Sequence, residues 1–113
     1  MHAHAFLPLS EITFYILLSL MPDAKHGYAI WKDVECLSSG SLKLSTSTLY
    51  DALERLLEQG LIERIKDENE QNNGRPRKRY RINELGKLVL IADANRMRTL
   101  LDLAMTHIQE TIR

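Results

Sequence analysis

Cysteine is almost missing from this chain: Cys36 stands alone, so no intrachain disulfide can form. A single thiol fits a reducing compartment, where it is expected to act as a small core hydrophobe. Long apolar runs are missing too. The longest, Tyr15 to Met21, is broken by Ser19 and falls far short of the roughly 20 residues that cross a bilayer. His2 and His4 precede it, but no Lys or Arg does, so the basic start of a secretory signal is lacking. A cytoplasmic chain with no membrane partner is expected. The chain has no paired cysteines, no HExxH, no Gly-rich phosphate loop and no nucleophile elbow, and these absences argue against zinc hydrolases, nucleotidases and serine hydrolases. His2, His4, His26 and His107 are scattered. We expect no catalytic residue, no metal and no cofactor. Net charge is also absent, because 15 basic and 15 acidic side chains cancel. Any affinity for nucleic acid must therefore come from where the charges sit.

What remains is an ordinary globular composition, 113 residues with 44% hydrophobic and 27% charged, enough for one modest core. Leu9 to Met21 carries Leu9, Ile12, Ile16, Leu17 and Leu20 at helical spacing, so a first helix is expected there, stopped by Pro22. His26 to Leu37 reads as a second helix, with Tyr28, Ile30, Trp31, Val34 and Leu37 as its apolar surface and Ser38, Ser39 and Gly40 as its end. Leu42 and Leu44 alternate with polar residues, which predicts a very short strand. Ser45 or Thr46 can cap a third helix, whose Leu49, Leu53, Leu56 and Leu57 form one stripe ending at Gly60, a natural C′ residue. Two strands, Leu61 to Lys66 and Arg79 to Ile82, should flank a long hairpin loop from Asp67 to Arg77 rich in Asn, Gly and Pro. Asn83 can cap a last helix of about 30 residues running to the C-terminus.

This order predicts a mainly α fold with a small β-hairpin: a winged helix-turn-helix over residues 1–82, followed by a long dimerisation helix over 83–113. Entering the major groove falls to the helix from Thr46, with Ser47, Thr48, Asp51 and Arg55 directed away from its apolar stripe. Tyr50 lies at the stripe's edge, either as a phosphate donor through its hydroxyl or as a partly buried aromatic. Five cations fall among the seven residues Arg75 to Arg81, where alternation sets Arg79 and Arg81 opposite Tyr80 and Ile82. Arg75 and Arg77 belong to the loop end, where a wing reaches phosphate or the minor groove; Asp67, Glu68 and Glu70 oppose them. Double-stranded DNA is the expected partner, and the candidate contact set is His26, Tyr28, Lys43, Ser45, Thr46, Ser47, Thr48, Tyr50, Arg55, Arg75, Arg77, Lys78 and Arg79. A winged helix used only for protein–protein contact is the alternative.

The last helix carries more apolar surface than so small a domain can cover. Leu85, Leu88 and Ala92, and then Met97, Leu101, Ala104 and Ile108, recur at steps of three and four, which fits a helix paired with its symmetry mate in a homodimer. Packing back on the first helix is the alternative. A two-fold dimer would set two recognition helices about 34 Å apart.

Taken together, His26-Gly27-Tyr28, the run Ser45-Thr46-Ser47-Thr48-Leu49-Tyr50-Asp51-Ala52-Leu53-Glu54-Arg55-Leu56, Gly60-Leu61-Ile62 and Arg79-Tyr80-Arg81-Ile82-Asn83-Glu84-Leu85-Gly86 resemble the PadR family of bacterial transcriptional regulators. The resemblance runs from about Leu9 to the end and points to the family's smaller subgroup with one C-terminal helix. It implies a dimer joined through that helix, operator binding, and repression relieved by a small aromatic or cationic compound bound between subunits. It also implies DNA contact by Ser45, Ser47, Thr48 and Tyr50, support from His26 and Tyr28, and wing contact by Arg75 and Arg77; Trp31 and Met97 are the candidates to line the effector space, with plain core packing as the alternative for both. The chain departs from the pattern at Thr46 and Ser47, where Pro-Gly is common. It departs again at the outward Asp51, an acceptor suited to a cytosine amino group.

Overall fold

The computed structural model describes residues 3–72 and 75–112, with side chains left aside at 67–77. After a 3₁₀ turn at Ala3–Phe6, the elements run α1 (Glu11–Ser19), β1 (Lys25–His26), α2 (Gly27–Leu37), α3 (Thr46–Glu58), β2 (Ile62–Asn72), β3 (Arg75–Ile82) and α4 (Glu84–Thr111). α1 is shorter at both ends than its apolar pattern. Ser10 caps it by accepting from the Thr13 N–H at 3.1 Å, which leaves Leu9 outside the helix yet still packed on the core.

α2 buries Gly27, Ile30 and Val34, one stripe at steps of three and four. Two expectations fail here for one reason. Cys36 and Tyr28 fall off that stripe, so the cysteine is exposed and is no core residue, and Tyr28 is 60% exposed. Leu37, at the helix end where the chain turns away, is exposed as well. Ser39 and Gly40 reverse the chain with positive φ.

No strand forms at Leu42 and Leu44. Side-chain bonds hold that segment instead: Ser38 Oγ accepts from the Leu42 N–H at 3.0 Å, and Trp31 Nε1 donates to the Leu44 carbonyl at 2.7 Å. The two leucines still pack on the core, as coil. The third strand is β1, a polar doublet without alternation. It pairs antiparallel with β3, Lys25 opposite Tyr80 and His26 opposite Arg79, in a sheet of order β1-β3-β2. A charged network backs it: Lys25 Nζ reaches the Ser19 carbonyl at 2.5 Å, Asp23 at 2.9 Å and Asp33 at 3.4 Å.

α3 ends in a Schellman motif at Gly60 (φ 74°), where the Leu61 N–H bonds the Leu56 carbonyl and the Gly60 N–H bonds that of Leu57, both at 3.1 Å. The hairpin pairs further than composition suggests. Instead of a loop from Asp67 to Arg77, β2 and β3 pair from Ile62↔Ile82 out to Asn72↔Arg75, with an irregularity between Asp67 and Gln71. Pro76 is tolerated because it lies where β3 pairs with β2 alone, β1 reaching β3 only at Arg79 and Tyr80, and an edge position accepts a residue without an N–H. Tyr80 faces the core, and burial pushes its phenol above the usual tyrosine range, with the guanidinium of its cross-strand partner Arg64 opposing that rise.

The core gathers Ile16, Leu17 and Leu20 of the first helical hairpin with Ile30, Val34, Leu49, Leu53, Leu56, Leu61, Tyr80 and Ile82. α4 closes it with Val89 and Leu90. Gly86 makes this possible, because a Cβ there would collide with the Leu61 carbonyl oxygen and lie 2.7 Å from Ile82 Cγ1. Asn83 locks the joint by donating to the Gly60 carbonyl at 2.6 Å and accepting from the Gly86 N–H at 2.8 Å.

Candidate nucleic-acid interface

α3 owes its placement to four leucine and alanine positions, Leu49, Ala52, Leu53 and Leu56, which are buried. A helix step of 100° then turns Ser47, Thr48, Asp51 and Arg55 outward, and all four are exposed. At its start Ser45 is a true N-cap: its Oγ accepts from the Thr48 N–H at 3.1 Å and lies 2.9 Å from Thr48 Oγ1 and 3.3 Å from Ser47 Oγ. The three hydroxyls form one exposed cluster. Thr46 and Lys43 flank it, both exposed. The structure brings the predicted residues of this face together on one side of α3.

Two further elements border α3. On one side α2 begins at Gly27, with His26 as an N-cap that makes no side-chain capping bond. His26 Nδ1 instead lies 3.1 Å from the Lys78 carbonyl, so the tautomer protonated at Nδ1 ties the α2 start to the wing. Tyr28 is braced against Trp31, with ring centroids 5.7 Å apart, and by Lys32 Nζ at 5.5 Å. Tyr50 is 43% exposed, and its ring and hydroxyl lie directly over Gly27, where a Cβ would collide with the hydroxyl. Tyr50 is therefore partly covered, with its hydroxyl the atom packed closest over Gly27. Between these residues opens a cleft of about 220 Å³ lined by Gly27, Tyr28, Trp31, Thr46, Leu49 and Tyr50.

On the other side lies the start of α1. A second cleft, about 170 Å³, joins Ser10, Ile12 and Thr13 to Thr48, Asp51, Ala52 and Arg55. Ser10 and Thr13 were not singled out as site residues. The N-cap signature that reveals them as a helix start carries no sign that α1 abuts α3.

The wing is legible only in part. Lys78 is exposed and Arg79 half-buried, while Arg81 pairs with Glu63 at 2.6 Å across the strands. Tyr80 and Ile82 point inward as alternation requires. The side chains of Arg75 and Arg77, and of Asp67, Glu68 and Glu70, lie outside the described residues.

On α4, Leu85 and Ala92 are half-buried and Leu85 packs on the core, whereas Leu88, Met97, Leu101, Ala104 and Ile108 are exposed. The buried positions Gly86, Val89, Leu90 and Asp93 continue, in steps of three and four, into Met97, Leu101, Ala104 and Ile108. One stripe is thus covered by the chain's own core in its first half and bare in its second. Trp31 and Met97 do not meet within one chain: Trp31 lines the α2–α3 cleft, which Met97 does not reach. Among the described residues, no His, Cys, Asp and Glu cluster is arranged to hold a metal, and no helix is long and apolar enough to cross a membrane.

A three-helix core with α3 presented outward and a β-hairpin beside it defines a winged helix-turn-helix protein. The model of the PadR-like transcriptional regulator family matches residues 16–92, and the chain belongs to that family. It is similar to a PadR family transcription regulator from Clostridium difficile R20291, at 26% identity and a TM-score of 0.72 over 88% of this chain and 99% of that one. It is also similar to a PadR-like transcription factor from Bacteroides fragilis, at 25% identity and a TM-score of 0.67 over 86% and 88%. The fold is shared with Bacillus subtilis PadR, whose structure is of a complex with operator DNA, at 22% identity and a TM-score of 0.64 over 74% of this chain and 46% of that one. No curated protein matches the chain.

Proposed function

We propose that this transcriptional regulator acts as a homodimer on a palindromic operator in double-stranded DNA. The observation that carries the reading is the exposed polar face of α3, with the Ser45, Ser47 and Thr48 hydroxyls clustered at its start. Hydroxyls and backbone N–H groups at a helix N-terminus suit phosphate and base edges alike. In this reading residues 1–82 contact DNA: α3 lies in the major groove, about 12 Å wide, His26, Tyr28 and Tyr50 contact the duplex beside it, and Lys43, Arg55, Arg75, Arg77, Lys78 and Arg79 neutralise phosphates. Residues 83–113 pair two copies through the bare second half of the α4 stripe. The shared fold with the operator-bound Bacillus subtilis protein supports this assignment. Repression by occupying the operator, and its relief by a small aromatic or cationic compound held between subunits near Trp31 and Met97, complete the reading.

Fluorescence-anisotropy binding to a pool of genomic duplexes at two salt concentrations, followed by sequencing of the retained DNA, tests it. Log affinity should fall with log salt at about −0.9 per phosphate neutralised, and Arg75→Ala with Arg77→Ala should flatten that slope. Recovery of a palindromic motif is expected. Salt-insensitive, unselective binding would instead assign the fold to protein–protein contact.

A further inference from the structure

The cleft between the starts of α2 and α3 does not match the polar surface around it. Its lining is mostly carbon: Leu49 at the base, the rings of Tyr28, Trp31 and Tyr50 as walls, the bare backbone of Gly27, and Thr46 as its polar member. Among the described residues no charged side chain lines it, so phosphate would find no counter-charge there and would lose its hydration. The cleft is also preformed. Trp31 is held through Nε1 to the Leu44 carbonyl at 2.7 Å, Tyr50 is seated on Gly27, and Tyr28 is braced by the Trp31 ring and the Lys32 ammonium despite its exposure. Thr46 belongs both to this cleft and to the first turn of α3, so the cleft is continuous with the surface that enters the major groove.

Of the groups displayed in a major groove, the C5-methyl of thymine is the apolar one, and the others are hydrogen-bond donors or acceptors. We infer that this cleft is a thymine-reading notch, which takes the methyl and neighbouring C5–C6 edge of one thymine in each half-site, with Tyr28 and Tyr50 as the specificity-determining walls. The inference rests on the operator-binding reading above and adds to it a preferred base and the residues that read it. A volume of about 220 Å³ exceeds a single methyl, which leaves room for the pyrimidine edge that carries it.

The test uses the duplex recovered from the genomic pool, resynthesised with deoxyuridine in place of each thymine in turn, and the full-length protein. One thymine per half-site should respond, with affinity falling about fourfold, the factor that corresponds to ~0.8 kcal/mol for one buried methyl. Tyr28→Ala should abolish the difference between the thymine and uracil duplexes, and Tyr28→Phe should retain it. Circular dichroism verifies that both variants are folded, as expected for so exposed a side chain. If every thymine tolerates uracil, or if Tyr28→Ala weakens both duplexes equally, the notch assignment is wrong while operator binding stands. If no duplex shows salt-dependent, selective binding, both readings fall together.

Discussion

Two glycines separate the demands of folding from those of recognition. At Gly86 the space for a Cβ is occupied by the Leu61 carbonyl oxygen and by Ile82. Neither can step aside without moving α4 off the strand that follows α3. At Gly27 the space is filled by the far end of the Tyr50 side chain, which can rotate away, and alanine at a first helical position is itself favoured over glycine by up to about 1 kcal/mol. Gly86→Ala should therefore cost about 3 kcal/mol, the upper range for overpacking a filled site, and lower the melting temperature by many degrees. Gly27→Ala should melt within a few degrees of the wild type but lose about tenfold in affinity for the recovered duplex, because Tyr50 is displaced from the DNA face. Paired thermal melts and anisotropy titrations check this; equal melting temperatures for the two variants would contradict the packing argument. Neither glycine announces its role in the sequence, where Gly27 is only a helix opener and Gly86 an interruption of a helical pattern.

α1, α3 and α4 were legible because Ser10, Ser45 and Asn83 make the capping bonds that their residue types imply, whereas α2, whose N-cap His26 makes no side-chain capping bond, was legible from its apolar stripe alone. What misled was short β structure. Alternation at Leu42 and Leu44 imitates a strand but reflects two leucines tucked under a coil by Ser38 and Trp31. The true third strand, Lys25–His26, is recognised only by its partner β3. Equally invisible was the cost inside α4. Asp93 is fully buried, its Oδ1 accepts from Arg96 Nε at 2.7 Å, and its Oδ2 has no hydrogen-bond partner among the described residues. Removing one member of a buried pair strands the other charge, at about 3–5 kcal/mol, whereas an apolar replacement of the pair is close to neutral. Arg96 is about one-third exposed, so the lower end applies. Arg96→Ala should thus destabilise by about 3 kcal/mol, and the double variant Asp93→Leu/Arg96→Ala should recover most of that loss. Urea unfolding of the set measures it, and a double variant no more stable than Arg96→Ala would show that the carboxylate is not the source of the penalty.

At the scale of the whole molecule, α4 spends its stripe twice. Gly86, Val89, Leu90 and Asp93 serve the chain's own core, and Met97, Leu101, Ala104 and Ile108 continue the same line as exposed residues. A 28-residue helix is about 42 Å long at 1.5 Å per residue, much longer than one small core requires. Its second half gains from water removal only if a partner covers it, and pairing with a second copy would hold two α3 helices in a fixed relation to one duplex. Leu101 is 59% exposed, so a charge there costs the isolated chain little but sits in the proposed pair. Leu101→Glu should accordingly sediment as a monomer where the wild type sediments as a dimer, with an unchanged helical circular dichroism signal. Its affinity for a full palindrome should drop to that for a half-site. Equal masses for the two proteins, both monomeric, would remove the dimer and leave the exposed second half of α4 to a different partner; equal dimeric masses would move the interface off this stripe.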